Sequence, residues 1–385
     1  KKKIVIIGGG LAGLALAMKF CERNGEVTVV SYQSLKRSHS VCAQGGINAA
    51  IDAKNEGDSP EKHFYDTIKG GDFLAHQPLV RDMCFQAPAI IHLMDRMGVA
   101  FNRTGEGHLD FRRFGGTLYN RTAFAGATTG QQLVYALDEQ VRRNIHDGNA
   151  TALEWHEYLG AVLDSDGICR GAVIHDLKTD EIYTLPADAV VLATGGPGQV
   201  YGRSTNSVVN TGAAATTAYL QGAKYANGEF IQIHPTAIPG QDKLRLMSES
   251  ARGEGGRVWV PRKSNDKRTP EKIPENERLY FLEEKYPLFK NLVPRDVASR
   301  EIYDIVYSQK MGVDGDPMVY LDLTHKSREF LDNRLGGIMD IYTKFTGVDP
   351  REHPMKIFPA VHYSMGGLWT DFGPDQNGLI DHGSP

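Results

Sequence analysis

Histidine, glutamate, serine and arginine recur in this sequence in short strings suited to proton transfer and anion recognition. The strings are His234-Pro235-Thr236, Ser248-Glu249-Ser250-Ala251-Arg252, Pro294-Arg295-Asp296 and Val361-His362-Tyr363. Histidine and glutamate are the usual general acids and bases, because their pKa values can be tuned to the working pH. Arginine is effectively always protonated, so on residue chemistry alone His362 or Glu249 would carry the proton. Glu249 and Arg252 stand three positions apart, and on a helix they would share a face and could relay protons. As an ordinary surface ion pair they would contribute under about 1 kcal/mol. Arginine's planar fork also suits carboxylates. Taken singly, each residue has an ordinary structural reading. Converging on one cleft, they would grip an anion at both ends.

A second string, Lys36-Arg37-Ser38-His39-Ser40-Val41-Cys42-Ala43-Gln44-Gly45-Gly46, offers small side chains and two glycines. It permits close backbone approach to a flat or phosphorylated ligand. His39 alone would read as a surface or core histidine.

The elements that must position these strings begin with a β-branched run over 4–7. It leads into Gly8-Gly9-Gly10-Leu11-Ala12-Gly13, a helical stretch over 14–20 and a strand over 27–30. Strand, glycine turn, helix and strand form a dinucleotide-binding start, with Gly8, Gly10 and Gly13 as its GxGxxG. The glycines allow a tight turn and close approach to a pyrophosphate, which the helix N-terminus attracts. Ser31 stands where an acidic residue normally holds the ribose, which argues against a plain NAD site. Alternating residues predict three strands over 155–163, 168–177 and 181–185, with Asp164-Ser165-Asp166-Gly167 as a hairpin turn. A buried strand follows at 189–193, closing on Thr194-Gly195-Gly196.

Residues 230–355 read as a separate unit, with helices over 296–309 and 328–345 and a polar, proline-rich surface insertion over 261–278. The segment 358–372 carries strand and glycine signals that return to the first unit. The fold class expected is α/β: the hairpin sheet before the strand ending in Thr194-Gly195-Gly196 resembles flavoproteins of glutathione-reductase type, which implies a Rossmann-like FAD-binding domain with an inserted α+β capping domain. Its boundaries are 1–233, 234–354 and 355–385.

The sequence has 385 residues, enough for two to three domains. Its 43 basic and 47 acidic residues give a net charge of −4, which excludes a polybasic nucleic-acid binder. Cys21, Cys42, Cys84 and Cys169 form no CxxC pair, so no zinc site or iron–sulfur cluster is expected, and the metal complement is none. No apolar run reaches about 18 residues, so no membrane span is expected. Lys1-Lys2-Lys3 followed by apolar residues imitates a signal peptide, but glycines begin at Gly8 without a cleavage site. The start without Met and the end at Pro385 read as a piece of a longer chain.

The 36–46 string resembles the RSHxxxAQGG signature of succinate dehydrogenase and fumarate reductase flavoprotein subunits. The resemblance covers essentially the whole chain. It continues through Gly70-Gly71-Asp72-Phe73-Leu74, Arg112-Arg113-Phe114-Gly115-Gly116, Ala127-Thr128-Thr129-Gly130, Ser204-Thr205-Asn206 and Asn227-Gly228-Glu229-Phe230. It implies FAD joined covalently through its 8α carbon to His39. Further contacts are implied from Gly8, Gly10, Gly13, Ser31, Ser38, Ser40, Ala43, Gln44, Gly45, Gly46, Thr194, Gly195 and Gly196. It also implies that His234 and Ser248 hold one carboxylate of succinate or fumarate, that His362 helps with the other, and that Phe114 forms an apolar wall. The proton role falls to Arg295, refilled through Glu249 and Arg252, against the choice made from residue chemistry alone.

The implied partners are an iron–sulfur subunit and a menaquinone-linked, diheme cytochrome b membrane anchor. The implied location is peripheral, on the cytoplasmic face of the membrane or the matrix side in a mitochondrion. Two motifs usual in the family, an AxGE segment and a carboxylate-binding arginine, would lie beyond residue 385; a chain ending there would bind FAD and turn over poorly. Ala213-Ala214 stands where many relatives have Asp-Gly, which puts one cofactor contact in doubt. L-aspartate oxidase is the nearest rival reading, opposed by His39, since that enzyme lacks the histidine motif. A catalytically silent FAD-binding scaffold is the other, opposed by Arg295, Glu249 and His362.

Overall fold

The computed structural model describes residues 1–240 and 244–370. The segment expected over 358–372 and the unit expected over 355–385 therefore lie partly outside the described residues. The chain opens with β1 (Lys3–Ile7), α1 (Leu11–Glu22) and β2 (Glu26–Ser31). A long helix, α2 (Thr129–His146), leads into β3 (Ala150–Glu154). The antiparallel meander β4 (His156–Leu163), β5 (Cys169–Asp176) and β6 (Ile182–Pro186) follows, and then β7 (Ala189–Leu192). The first sheet is parallel in the order β7-β1-β2-β3.

β1 is apolar and buried from Ile4 to Ile7 because both of its faces are covered there, as parallel strands require. Ile4 and Ile6 join Leu14, Ala17, Val134 and Leu137 of the two helices. Val5 and Ile7 face the other way, into a cluster with Tyr158, Ala172 and Ile174 of the meander. Adjacent residues of one strand thus belong to two layers.

The second unit is built on an antiparallel sheet. Its strands are β8 (Ile231–Ile238), β9 (Arg245–Leu246), β10 (Arg257–Pro261), β11 (Arg278–Leu279), β12 (Val319–Asp322) and β13 (Met355–Ser364). They lie in the order β9-β8-β13-β12-β10-β11, so this sheet has strands on both sides of positions 233/234 and 354/355. The short helix α3 (Ser250–Gly253) follows β9. The helices α4 (Arg295–Tyr303) and α5 (Arg328–Thr346) complete the unit. α4 runs on into a π-helical turn, Asp304–Ser308, so helical backbone covers all but the last residue of the span expected over 296–309.

α5 starts where the Ser327 hydroxyl accepts the Phe330 N–H, and it stops at Gly347, whose φ is +75°. It buries Leu331, Leu335, Ile338, Met339 and Tyr342, a 3.6-residue stripe. Each such apolar side chain stabilises the fold by roughly 1.5–3 kcal/mol. The proline-rich stretch over 261–278 is less of a free insertion than its polarity predicts. Its ends pair as β10 and β11, and Ile273 is buried in the core of this unit.

Candidate active site

The glycine turn and the 36–46 loop meet at one end of the parallel sheet. A Cβ on Gly8 would lie 2.3 Å from the Ala193 carbonyl and 3.2 Å from Thr194 N, so the turns at 8–10 and 194–196 are in contact. A Cβ on Gly13 would lie 2.0 Å from the Gly8 carbonyl, which is why the helix can seat so close to the strand. Ser40 approaches the start of α1, where its Oγ accepts the Leu11 N–H at 3.2 Å. A Cβ on Gly10 would be 3.1 Å from the same Oγ and 4.0 Å from Ser38 Cβ. Ser31 ends β2 beside this turn, its Oγ 3.3 Å from a Cβ placed on Gly9. The acid that β2 lacks stands opposite on β3: Glu154 pairs with Ser31 in register and accepts the Leu35 N–H at 3.0 Å.

Ala43 accepts the Gly130 N–H at 2.7 Å, bringing the loop to the start of α2. Gly46 has φ +136° and lies against the Ala123 carbonyl. Arg112 is buried, donates to the Gln44 and Gly45 carbonyls, and keeps two further nitrogens unpartnered. Burial pushes its guanidinium down to about 10. His39 accepts the Ser207 N–H on Nδ1 at 3.1 Å.

The second cluster gathers around Glu249. This carboxylate is 2% exposed, pairs with Arg252 through Oε1, and accepts Arg295 Nε on Oε2 at 2.9 Å. His234 Nε2 lies 3.4 Å from that same Oε2. Burial alone would raise the Glu249 carboxyl, but Arg252, Arg295 and His234 hold it well below the usual carboxylate range. Arg252 donates to the Asn291 and Val293 carbonyls at 2.8 and 3.2 Å and leaves its Nε without a partner. His234 is fully buried, and burial followed by the charge of Arg295 pushes it down to about 4. Its Nε2 has no hydrogen-bond partner, an unmet need that a bound anion would satisfy.

Ser248, next to Glu249 in the chain, is buried with its hydroxyl 2.8 Å from that of Ser250. His362 stacks edge-to-face on His234 with ring centroids 4.9 Å apart. Phe114 packs on the loop side: its ring atoms lie 2.6 Å from a Cβ placed on Gly45, and the next residue, Gly115, lies against Glu249 Oε1.

Irregular strands aim both histidines. Gln232 opposes Tyr363 and Ile233 opposes Val361, so His362 is the extra, unpaired residue of a β-bulge. The register shifts again after His234, between its pairing with Ala360 and that of Ala237 with Phe358. The same strings carry further residues that the structure brings to the site. Gln232 accepts Arg295 Nη1 at 2.8 Å, and Thr205 Oγ1 sits 2.6 Å from His362 Nδ1. Gln232 stands two positions before His234 on one strand, and that spacing was the available signal.

The FAD binding domain family matches this chain over residues 3–373. The chain belongs to that family. Within this FAD-binding family it is similar to succinate dehydrogenase and fumarate reductase flavoprotein subunits. The succinate dehydrogenase flavoprotein subunit of Bacillus subtilis (strain 168) is 62% identical over 372 residues, which are 97% of this chain and 61% of that protein. A variant of E. coli quinol fumarate reductase FrdA superposes with a TM-score of 0.82 at 31% identity, over 99% of this chain and 63% of that one. A quinol-fumarate reductase solved with menaquinol molecules gives 0.83 at 31% identity, over 98% of this chain and 65% of that one. The chain thus spans about three fifths of these relatives. The residues present fit FAD: the glycine turns are bare of side chains, and Ser38 Oγ, Gln44 Oε1 and Ser364 Oγ are buried beside them without partners.

Proposed function

We propose that this chain is the flavoprotein subunit of an enzyme interconverting succinate and fumarate. The reading is carried by the fully buried Glu249, clamped between Arg252 and Arg295 beside the unpartnered Nε2 of His234. Gly8, Gly10, Gly13, Ser31, Ser38, Ser40, Ala43, Gln44, Gly45, Gly46, Thr194, Gly195 and Gly196 would hold FAD, with His39 joined to its 8α carbon. When bound, FAD supplies the acceptor for a hydride equivalent from one methylene carbon.

The chain's own residues handle the anion and the proton. His234 and Ser248 donate to one carboxylate of the substrate, and His362 donates to the other. Arg295 exchanges a proton with the neighbouring carbon. Arginine holds its proton tightly, so it can serve only if the proton is replaced as it moves. Glu249 at 2.9 Å and Arg252 behind it form that replacement path. Gln232 holds Arg295 from the other side of its guanidinium. Phe114 walls the carbons, and the 234–354 unit closes over the substrate to exclude water.

Electrons would leave to an iron–sulfur subunit and a cytochrome b anchor of menaquinone type; the relative solved with menaquinol molecules supports the quinone type alone. Among the described residues no helix is long and apolar enough to cross a membrane. Docked on a membrane partner, the chain would be peripheral, and its proposed side is the cytoplasmic face or, in a mitochondrion, the matrix side.

The test is succinate-dependent dye reduction by the full-length, FAD-loaded protein. Arg295→Ala is expected to lower the rate by about 10²–10⁴-fold, the usual worth of a positioned acid–base group. Rates unchanged in Arg295→Ala would dismiss the proton carrier. Reduction by aspartate but not succinate would replace the substrate reading with that of L-aspartate oxidase.

A further inference from the structure

The hydrogen bonds around Val361 decide where the imidazole proton of His362 sits. The Val361 carbonyl accepts the Thr205 N–H at 3.0 Å and the Ser204 hydroxyl at 3.0 Å. A carbonyl oxygen has two lone pairs, and both are thereby engaged. Thr205 Oγ1 lies 3.5 Å from that carbonyl but only 2.6 Å from His362 Nδ1. Its single proton therefore goes to Nδ1. The short distance also fits a hydroxyl donor better than a ring N–H donor. Asn206 fixes the same residue from its main chain, donating to the His362 carbonyl at 2.8 Å.

We propose that Thr205 is a positioning residue that holds His362 as the Nε2–H tautomer, so that a neutral imidazole offers an N–H to a substrate carboxylate. The inference rests on the dicarboxylate reading given above. Burial first, and then His234, Arg295 and His39, push the His362 ring down to about 2, so it has one N–H and not two. With the proton on Nδ1 instead, the carboxylate would meet a lone pair and be repelled.

His234 uses the same device with a backbone donor. The Thr236 N–H reaches His234 Nδ1 at 3.2 Å, while the Thr236 hydroxyl is committed to the Met247 carbonyl at 2.7 Å. Ser207 N–H holds Nδ1 of His39 at 3.1 Å, so residues 204–207 register both the cofactor-side ring and the substrate-side ring.

The deciding measurement is a long-range ¹H–¹⁵N correlation spectrum of the full-length, FAD-loaded protein with ¹⁵N-labelled histidine. His362 is assigned by the loss of its signals in His362→Gln. The parent protein should show His362 protonated on Nε2, as should Thr205→Ser, which keeps the hydroxyl. The near-isosteric Thr205→Val should lose that single tautomer and bind malonate about tenfold more weakly, the scale of one hydrogen bond to a charged group. An Nδ1–H signal in the parent overturns the proposal even if Thr205→Val does not fold. An unchanged tautomer and malonate affinity in a folded Thr205→Val also overturns it. A parent with the Nε2–H signal that ignores malonate keeps the tautomer assignment and overturns the dicarboxylate reading instead.

Discussion

At the scale of single residues, the site is organised by which atom of each side chain is already spoken for. Glu249 pairs each oxygen with an arginine, which suits the proposed relay between them better than a direct contact with substrate. His39 accepts the Ser207 N–H on Nδ1, which fixes its ring beside the 204–207 segment. Replacing His39 by Ser should abolish the fluorescent flavin band on an acid-denatured gel. The same variant should still retain FAD under native conditions, because the glycine turn is intact. Flavin released from the parent protein by acid denaturation would end the covalent reading. His39 was legible through its neighbours in the string. Thr205 was not, because its partner is 157 positions away and the spacing carries no trace of the contact.

Among elements, the junction of β1 and α1 shows which of two opposing effects wins. Alanine at Gly13 would improve helix propensity by up to about 1 kcal/mol. The added Cβ would lie 2.0 Å from the backbone oxygen of Gly8, which no rotamer can relieve. The helix must move off the strand, and the turn between them opens. Gly13→Ala is therefore expected to fold yet lose FAD on gel filtration, read as the ratio of flavin to protein absorbance. Stoichiometric FAD in that variant would refute the close-seating argument. Several elements were readable: the meander, the glycine turns and the helix over 328–345 follow from alternation, β-branching and a 3.6-residue stripe, whereas α2 was not predicted. The bulge that aims His362 was not readable, since an extra residue in a strand appears only when its partner strand is known.

Across the whole molecule, Arg334 of α5 ties the two units together. It donates to Asp110 at 2.9 Å and to Glu254 at 2.8 Å, and Asp110 also takes Lys54 at 3.0 Å. Burial would raise the Asp110 carboxyl, but Lys54 and Arg334 hold it below its ordinary value. Replacing Arg334 with Met leaves Asp110 and Glu254 facing each other without their shared cation. Because the Arg334 side chain is 31% exposed, the expected loss is about 1–3 kcal/mol, below that of a fully buried pair. A urea titration checks this as a lowered midpoint at constant slope, and an unmoved midpoint would show that the tie contributes nothing.

The sequence by itself determined the dinucleotide-binding start, the α/β class and the candidate residues of both clusters. Those properties are local: a glycine turn, an apolar run and a short string each carry their physics within a few residues. Tertiary structure alone decided that Gln232 holds Arg295, that Arg112 holds the carbonyls of Gln44 and Gly45, and that the Thr205 hydroxyl lies against Nδ1 of His362. It also decided that Glu249 is buried between two arginines and is not a surface ion pair. Hydrogen bonds and burial join atoms distant in the chain, and their direction depends on strand register, which no local pattern encodes.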